Sequence, residues 1–191
     1  KDEDYTHQIL DGDIHTYNMN MAGLSNRDQA KTFIYGFLYG AGDAKIGEIV
    51  GGTAKHGKKI KATFFKSIPK LEKLITQIKS ASGRGYLKGL DGRRIKVKSE
   101  HSAPNYLLQS AGAIVMKKAL VLLYASASKE NLDFTFVGNI HDEYQTQVLE
   151  KHSERFGVLA VEAIVNAGLA LNMNCPLDGE SKIGNNWYEC H

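Results

Sequence analysis

The sequence predicts an α+β protein, with a helical lobe first and a lobe containing an antiparallel sheet backed by helices second. Helical periodicity dominates the N-terminal part of the chain, whereas two alternating segments, 134–137 and 144–148, are typical of paired strands. Helices first and strands later favour two segregated lobes over a parallel α/β sheet. We place the boundary so that residues 1–97 form the first subdomain and residues 98–191 the second.

The first lobe is predicted to hold three helices, at residues 27–39, 44–50 and 58–80. Ser25 or Asn26 can cap the first helix, and Gly40 can end it. Residues 84–97 are rich in Gly and Arg and predict strand or turn structure, with a hairpin-like turn at 90–93.

The second lobe is predicted to begin with a long apolar helix. Its elements are a helix at 103–126, two strands around a tight tip, a helix at 150–171 and an irregular tail.

Positive charge is concentrated in residues 53–98, which we call the basic block. It holds 14 Lys and Arg and two acidic residues, whereas the rest of the chain holds 10 basic and 19 acidic ones. Such a block suits a polyanion such as nucleic acid. For the lysines alone, a solvated helical face is the favoured interpretation. Arg84, Lys88, Arg93 and Arg94 are different, since they lie among glycines that let a ligand approach the backbone.

One line of side chains along the first helix suits a nucleoside triphosphate. Arg27, Lys31, Tyr35 and Tyr39 recur every four residues and form a stripe ~18 Å long. The two cations lie near the positive helix N-terminus and can meet phosphates, and the tyrosines can meet sugar and base. Gly36, beside them, is expected to leave room for a ring. Two solvated cations and two tyrosines at the edge of a core are the alternative.

The tip between the two strands carries His141, Asp142 and Glu143. Adjacent carboxylates on a tight turn repel each other but suit Mg²⁺, which prefers carboxylate oxygens and retains water for substrate phosphates. A solvated acidic tip is the alternative.

Composition narrows the cellular setting. Cys175 and Cys190 have no metal-ligand spacing and suggest no disulfide framework, which favours a reducing cytoplasm. No signal peptide is recognised and no apolar run is expected to reach membrane-spanning length, so no membrane association is predicted.

Taken together, the motifs resemble the DNA polymerase I family, family A. They are the pattern R-x-x-x-K-x-x-x-[YF]-G-x-x-Y-G, the later His-Asp-Glu hairpin, the segment 13–16 (DIHT), the segment 89–94 (GLDGRR), the helix start 105–112 (N-x-x-x-Q-S-A-G) and the ending 187–191 (WYECH). The resemblance runs through the whole chain in order and is strongest with replicative polymerases of short-tailed phages. It implies a fingers subdomain at 1–97 and the C-terminal half of a palm at 98–191.

For the fingers, the resemblance implies that Arg27 and Lys31 bind the triphosphate of the incoming dNTP and that His15 contacts the phosphates from the side. Lys31 would also protonate the departing pyrophosphate. Tyr35 would lie against the deoxyribose, where the family carries Phe or Tyr and the choice governs acceptance of dideoxynucleotides. Tyr39 would stack near the templating position.

For the palm, it implies that Asp142 binds the two catalytic Mg²⁺ ions with Glu143 in support, and that His141 contacts the primer end. The remaining DNA contacts would come from residues that touch the terminal base pair or the primer–template phosphates: Asn105, Gln109, Arg93 and Arg94.

The chain departs from the family pattern in one respect. The second metal-binding aspartate lies in a motif D-x-S-x-x-E-x-R, which the family places upstream of the segment 13–16 and which this sequence lacks. We therefore expect a partner chain that brings this palm motif, the thumb and possibly an exonuclease, with both chains in the cytoplasm of an infected bacterial host. Whether the chain is a natural split subunit or an excised piece stays open. The other interpretations are a non-catalytic remnant that binds DNA or nucleotide and, more distantly, a metal phosphohydrolase.

Overall fold

The structure, a computed structural model, describes residues 2–190 and confirms the α+β class. Its elements fall into two compact units. The first extends to Gly89 and includes 94–108, and the second comprises 90–93 and the residues from 109 onward. These units are defined by compactness, so the subdomain boundary after residue 97 stays a prediction.

The first unit begins with six helices: α1 (Glu3–Leu10), α2 (Ile14–Ala22), α3 (Arg27–Leu38), α4 (Asp43–Ile49), α5 (Ala54–Ser67) and α6 (Pro69–Ser82). The helices α1 and α2 were not predicted from periodicity, although both carry local signals. Asp2 and Asp13 cap them by accepting backbone N–H bonds, and Gly23 ends α2 in the left-handed conformation with φ of 66°.

The single basic helix predicted at 58–80 is wrong, because the chain breaks there into α5 and α6. Ile68 has φ −128° and ψ 74°, outside the helical region, and Pro69 opens α6. The proline ring disfavours helical geometry in the residue before it but fits the first position of a new helix.

The core of the first unit fixes the orientation of α3. Phe33 and Phe64 are fully buried and cross edge to face, with ring centroids 5.2 Å apart, and Phe37 packs 5.4 Å from Phe64. With Ile34 and Ala30 also buried, one face of α3 is anchored and the opposite face is left to solvent.

A short antiparallel hairpin, β1 (Tyr86–Lys88) and β2 (Arg94–Lys96), completes the first unit. Leu87 pairs with Ile95, and both pack in a small cluster with Ile78 of α6. Because side chains alternate across a strand, the residues on either side of Leu87 and Ile95 point away from this cluster.

The second unit contains most of the long helix α7 (Ala103–Lys129), then β3 (Phe134–Ile140), β4 (Glu143–Val148), α8 (Ser153–Ala170) and α9 (Trp187–Cys190). Leu123 of α7 and Phe156 of α8 are buried under the sheet, and Phe134 packs 5.2 Å from Phe156. This is the predicted helix-backed hairpin. The tail is not wholly irregular, since it contains α9.

The stretch Glu100–Lys129 is long and apolar enough to cross a membrane, so the expectation that no apolar run approaches that length is wrong. This indication of a membrane span rests on length and composition alone. A single helix of this kind is a weak indication, since core helices pass the same test.

Candidate nucleotide and metal site

The predicted stripe lies on the solvent face of α3. Asn26 caps the helix by accepting hydrogen bonds from the N–H groups of Asp28 and Gln29 at 2.9 and 3.0 Å. The stripe residues are all exposed, with Tyr35 at 49% and Tyr39 at 56% of their full surface. Half-exposed tyrosines fit both a ligand-binding stripe and the edge of a core, so both interpretations stay open.

Lys31 has no ion pair or side-chain hydrogen bond with any residue from 2 to 190. Its ammonium group is therefore open to a ligand in this part of the chain.

The sequence suggested that Gly36 leaves room for a ligand ring, and this expectation is wrong. A Cβ there would lie 3.0 Å from Cδ1 of Ile49 and 3.6 Å from Cδ1 of Ile46. The glycine instead allows α3 to pack closely on α4.

Arg27, at the start of the stripe, is engaged by Asp13. Its Nε donates to Asp13 Oδ2 at 2.8 Å, and its Nη2 donates to Asp13 Oδ1 at 3.1 Å. The hydrogen bonds from Arg27, and next those from Thr16, hold the pKa of the Asp13 carboxyl well below its usual range, and the same pair raises the pKa of Arg27.

His15 is linked to the same carboxylate through its backbone. Its N–H donates to Asp13 Oδ1 at 3.0 Å, and its ring Nδ1 is buried with no hydrogen-bond partner among residues 2–190. Asp13 thus joins the first turns of α2 and α3, which carry the two predicted phosphate contacts His15 and Arg27. Sequence reasoning missed this role of Asp13, although its position as an N-cap is a recognisable signal.

The hairpin tip in the second unit is a two-residue turn. Ile140 pairs with Glu143, so His141 and Asp142 form the loop, and His141 has a φ of 52° in the left-handed region. Asp142 is exposed, whereas Glu143 is the first residue of β4 and its Oε1 accepts from Gln145 Nε2 at 2.9 Å. The sequence had suggested that both carboxylates lie on the turn, but only that of Asp142 does.

Tyr144 anchors this hairpin to α7. Its hydroxyl donates to the Met116 carbonyl at 2.7 Å, and burial raises the pKa of Tyr144 to about 12. The phenol therefore stays protonated and keeps donating at neutral pH.

A cavity of about 600 Å³ lies beside β4 in the second unit. Asp142 and Glu143 are at its border, and Leu123 and Phe156 are among its apolar walls. The hydroxyl of Thr146, another lining residue, is buried with no hydrogen-bond partner in the described chain.

Among residues 2–190, no group of three or more His, Cys, Asp or Glu side chains is arranged to hold a metal ion. An exposed aspartate on a tight turn matches the oxygen chemistry that Mg²⁺ prefers, and alone it supplies part of a ligand set.

The predicted DNA contacts differ in their surroundings. Arg93 forms a bidentate pair with Asp91, with Nη2 2.6 Å and Nε 2.8 Å from Oδ2, whereas Arg94 lies over the ring of Tyr86. On α7, the side-chain oxygen of Asn105 is buried without a partner in the described chain, and Gln109 is exposed.

Comparison with known proteins decides the family. The family described as DNA polymerase family A matches residues 1–189. The chain belongs to DNA polymerase family A.

Relatives of this family A chain include phage and bacterial polymerases. A DNA-directed DNA polymerase of Enterobacteria phage T3 is 41% identical over 98% of this chain, and that of Escherichia phage T7 is 40% identical over 98%. DNA polymerase I of Aquifex aeolicus is 27% identical over 84%. The chain spans about 30% of the length of each.

The fold of this family A chain is also found among solved structures. The POL domain of Pol1 from M. smegmatis, in complex with DNA primer-template and dNTP, matches 87% of this chain and 33% of its own, with a TM-score of 0.76 and 19% identity. At that identity the likeness establishes the fold.

Proposed function

We propose that this family A chain is the C-terminal part of a DNA-directed DNA polymerase and acts in template-directed nucleotidyl transfer during DNA replication. It binds the incoming dNTP along α3, and Asp142 supplies one of the catalytic carboxylates. The observation that carries the proposal is the exposed stripe of α3, from Arg27 to Tyr39, opposite a fully buried aromatic face.

The chemistry of the stripe supports dNTP binding. Lys31 is an uncommitted cation, and three of the five N–H groups of Arg27 remain for phosphate oxygens after two bond to Asp13. His15, tied by its backbone to the same carboxylate, brings a third phosphate donor. Tyr35 and Tyr39 offer exposed rings further along the helix, where sugar and base would lie.

The carboxylates of this chain would supply part of a Mg²⁺ ligand set. Asp142 would hold the two ions with help from Glu143, and His141 would meet the primer end. Bound Mg²⁺ would neutralise phosphate charge and activate the attacking oxygen. A further carboxylate is needed, and we propose that it comes from an aspartate in polypeptide beyond residues 1–191.

Two features support a partner on the second unit, one that carries the missing palm motif, the thumb and possibly an exonuclease. The cavity beside β4 joins an apolar wall to an unpartnered Thr146 hydroxyl, as an absent packing segment would leave it. Val121 and Tyr124 of α7 are 65% and 60% exposed, which is unusual for large apolar side chains on a core helix. The relatives are about three times as long as this chain, so they have room for such a segment.

A non-catalytic remnant that binds DNA or nucleotide is the second candidate. Under either candidate, residues 2–190 hold no three-ligand metal cluster, so a measurement of activity has to separate the two. The remnant interpretation predicts binding without catalysis even when a complementary polymerase segment is supplied.

With phage polymerases among the relatives of this chain, we propose that the working enzyme acts on primer–template DNA in the cytoplasm of an infected bacterial host.

Saturation-transfer NMR of the full chain with a dNTP and Mg²⁺ tests the nucleotide site. We expect transfer to the nucleotide protons in the wild type and a strong loss in Lys31→Ala. Lys45→Ala is the matched control, since Lys45 is an exposed lysine paired with Glu48 on α4. Equal transfer in all three proteins would contradict the proposed site.

A further inference from the structure

The β1–β2 hairpin presents a face made almost wholly of cations. In its antiparallel register Tyr86 is opposite Lys96 and Lys88 is opposite Arg94, while Leu87 and Ile95 turn to the core. Arg84 lies beside this outer face, over the ring of Tyr86, and the exposed Lys98 follows the end of β2. With these two neighbours, the face comprises Arg84, Tyr86, Lys88, Arg94, Lys96 and Lys98.

Two of these cations share one aromatic ring. The guanidinium carbon of Arg94 lies 4.8 Å from the centroid of Tyr86, and that of Arg84 lies 5.4 Å from it. The two charges are therefore at most about 10 Å apart, which is within about one Debye length at 0.1 M salt. They repel each other, and an anion bound close to both would relieve that repulsion.

Both guanidinium groups also keep most of their N–H donors free for a ligand. Arg84 commits only Nε, to the Ala81 carbonyl at 3.2 Å, and Arg94 commits none to residues 2–190. Arg93 differs, because Asp91 already occupies both its Nε and its Nη2.

We propose that Arg84 and Arg94, aligned by Tyr86, form a clamp for the phosphate backbone of DNA on the outer face of β1–β2. This inference rests on the proposed function as a DNA-binding chain and adds Arg84 and Tyr86 to it. Phosphate contacts of this kind give affinity and register without reading sequence. Arg93 contributes less, because its charge is already balanced within the turn.

The test measures binding of a fluorescent primer–template duplex to the full chain over a series of salt concentrations. Binding to phosphates weakens with salt, and the slope of log binding constant against log salt concentration measures how many phosphates are neutralised. The double variant Arg84→Gln/Arg94→Gln should make this slope shallower by ~0.9 for each phosphate that the variant no longer neutralises. Arg93→Gln should change the slope less than Arg94→Gln. Arg155→Gln is the matched control, since Arg155 is paired with Glu130 in the second unit and should leave the slope unchanged.

The role of the ring is tested separately. Tyr86→Leu keeps every charge but removes the stacking surface, and affinity should fall roughly two- to fivefold. Tyr86→Phe keeps the surface and should bind as the wild type does. Equal affinities for these two variants, or an unchanged slope in the double variant, would overturn the clamp while leaving DNA binding intact. A wild-type chain that binds no duplex at low salt would refute the proposed DNA contact itself, and the clamp with it.

Discussion

Arg27 and Asp13, fourteen residues apart, meet in a bidentate ion pair that ties the start of α3 to the cap of α2. Five hydrogen bonds converge on the Asp13 carboxylate: two from Arg27, two from Thr16 and one from the backbone of His15. One acidic side chain thereby organises the turns that carry two of the proposed phosphate ligands.

This pair predicts a pH-dependent stability. Because the pKa of Asp13 is lowered in the folded chain, its stabilising effect is present above the unfolded value of ~3.9 and is lost as pH falls through the lower folded value. Asp13→Asn, which can still cap α2, should lower the urea midpoint at pH 7, and the gap to wild type should narrow progressively as the pH falls below ~4.

Circular dichroism with urea at several pH values measures that gap. Arg27→Gln removes the same ion pair by changing its other partner. The loss of stability in the double variant Asp13→Asn/Arg27→Gln should therefore be no larger than the sum of the losses in the two single variants. A gap of the same size at pH 7 and at pH ~2.5 would show that the charge on Asp13 is not responsible.

Two glycines predict opposite effects of the same substitution. A Cβ on Gly57 would collide with the backbone carbonyl of Asp43 and lie 2.6 Å from the nitrogen of Gly47, so Gly57→Ala should destabilise the first unit by ~1–3 kcal/mol or more. Gly112 is exposed on α7 with no atom within 4 Å of the same position, and Gly112→Ala should stabilise its helix by up to ~1 kcal/mol. Thermal and urea unfolding measure both, and a tolerated Gly57→Ala would contradict the close packing of α4 on α5.

Much of the fold could be predicted, because its signals are local. The helix α3 begins at a capping Asn26 and ends before Gly40, and the strands β3 and β4 follow from alternation. The break between α5 and α6 also has a local signal in Pro69, which amphipathic periodicity on both sides concealed. The helices α1 and α2 are short and carry cap signals with little periodicity.

The residues of the candidate site were proposed from motifs in the sequence, and their pairings could not be predicted in that way. The ion pair of Asp13 with Arg27 and the placement of Arg84 and Arg94 over Tyr86 depend on how helices and strands approach one another. No spacing in the sequence encodes those approaches. Gly36 illustrates the limit, since its place beside Tyr35 suggested a ligand and its actual neighbour is Ile49.

Catalysis is predicted to need a second polypeptide segment. The chain alone should not extend a primer with Mg²⁺ and dNTPs, because it brings Asp142 without the second metal-binding aspartate. Adding a chain that carries the D-x-S-x-x-E-x-R motif should restore extension. Asp142→Asn should then lower the rate by more than the ~10–100-fold that outer-shell metal partners contribute.

Gel-based primer extension gives the readout for that prediction. Asp178→Asn is a useful comparison, since Asp178 also borders the cavity and is not a proposed metal ligand. Extension by the purified chain alone would contradict the need for a partner, and no extension after complementation would favour the non-catalytic remnant.

The hydroxyl of Tyr35 is predicted to govern the use of dideoxynucleotides by the complete enzyme. The side chain is 49% exposed, and its hydroxyl has no hydrogen-bond partner among residues 2–190, so it is available to a bound sugar. A dNTP supplies its own 3′-hydroxyl to the closed site, whereas a dideoxynucleotide leaves a polar group unpaired and a small void. The phenolic oxygen can fill that void and restore the bond, so the wild type should incorporate ddNTPs nearly as well as dNTPs.

Removing that oxygen should therefore create discrimination. A neutral hydrogen bond contributes ~0.5–1.5 kcal/mol, and a buried polar group left unpaired costs ~1–3 kcal/mol. At 1.36 kcal/mol for each factor of ten, Tyr35→Phe should raise the preference for dNTP over ddNTP by several-fold to ~100-fold. Competing incorporation of the two nucleotides by the complemented enzyme measures this ratio, with Tyr39→Phe as the matched control because Tyr39 is proposed to stack through its ring. Equal ratios for the wild type and Tyr35→Phe would mean that Tyr35 does not face the sugar, and the proposed direction of the nucleotide along α3 would have to be abandoned.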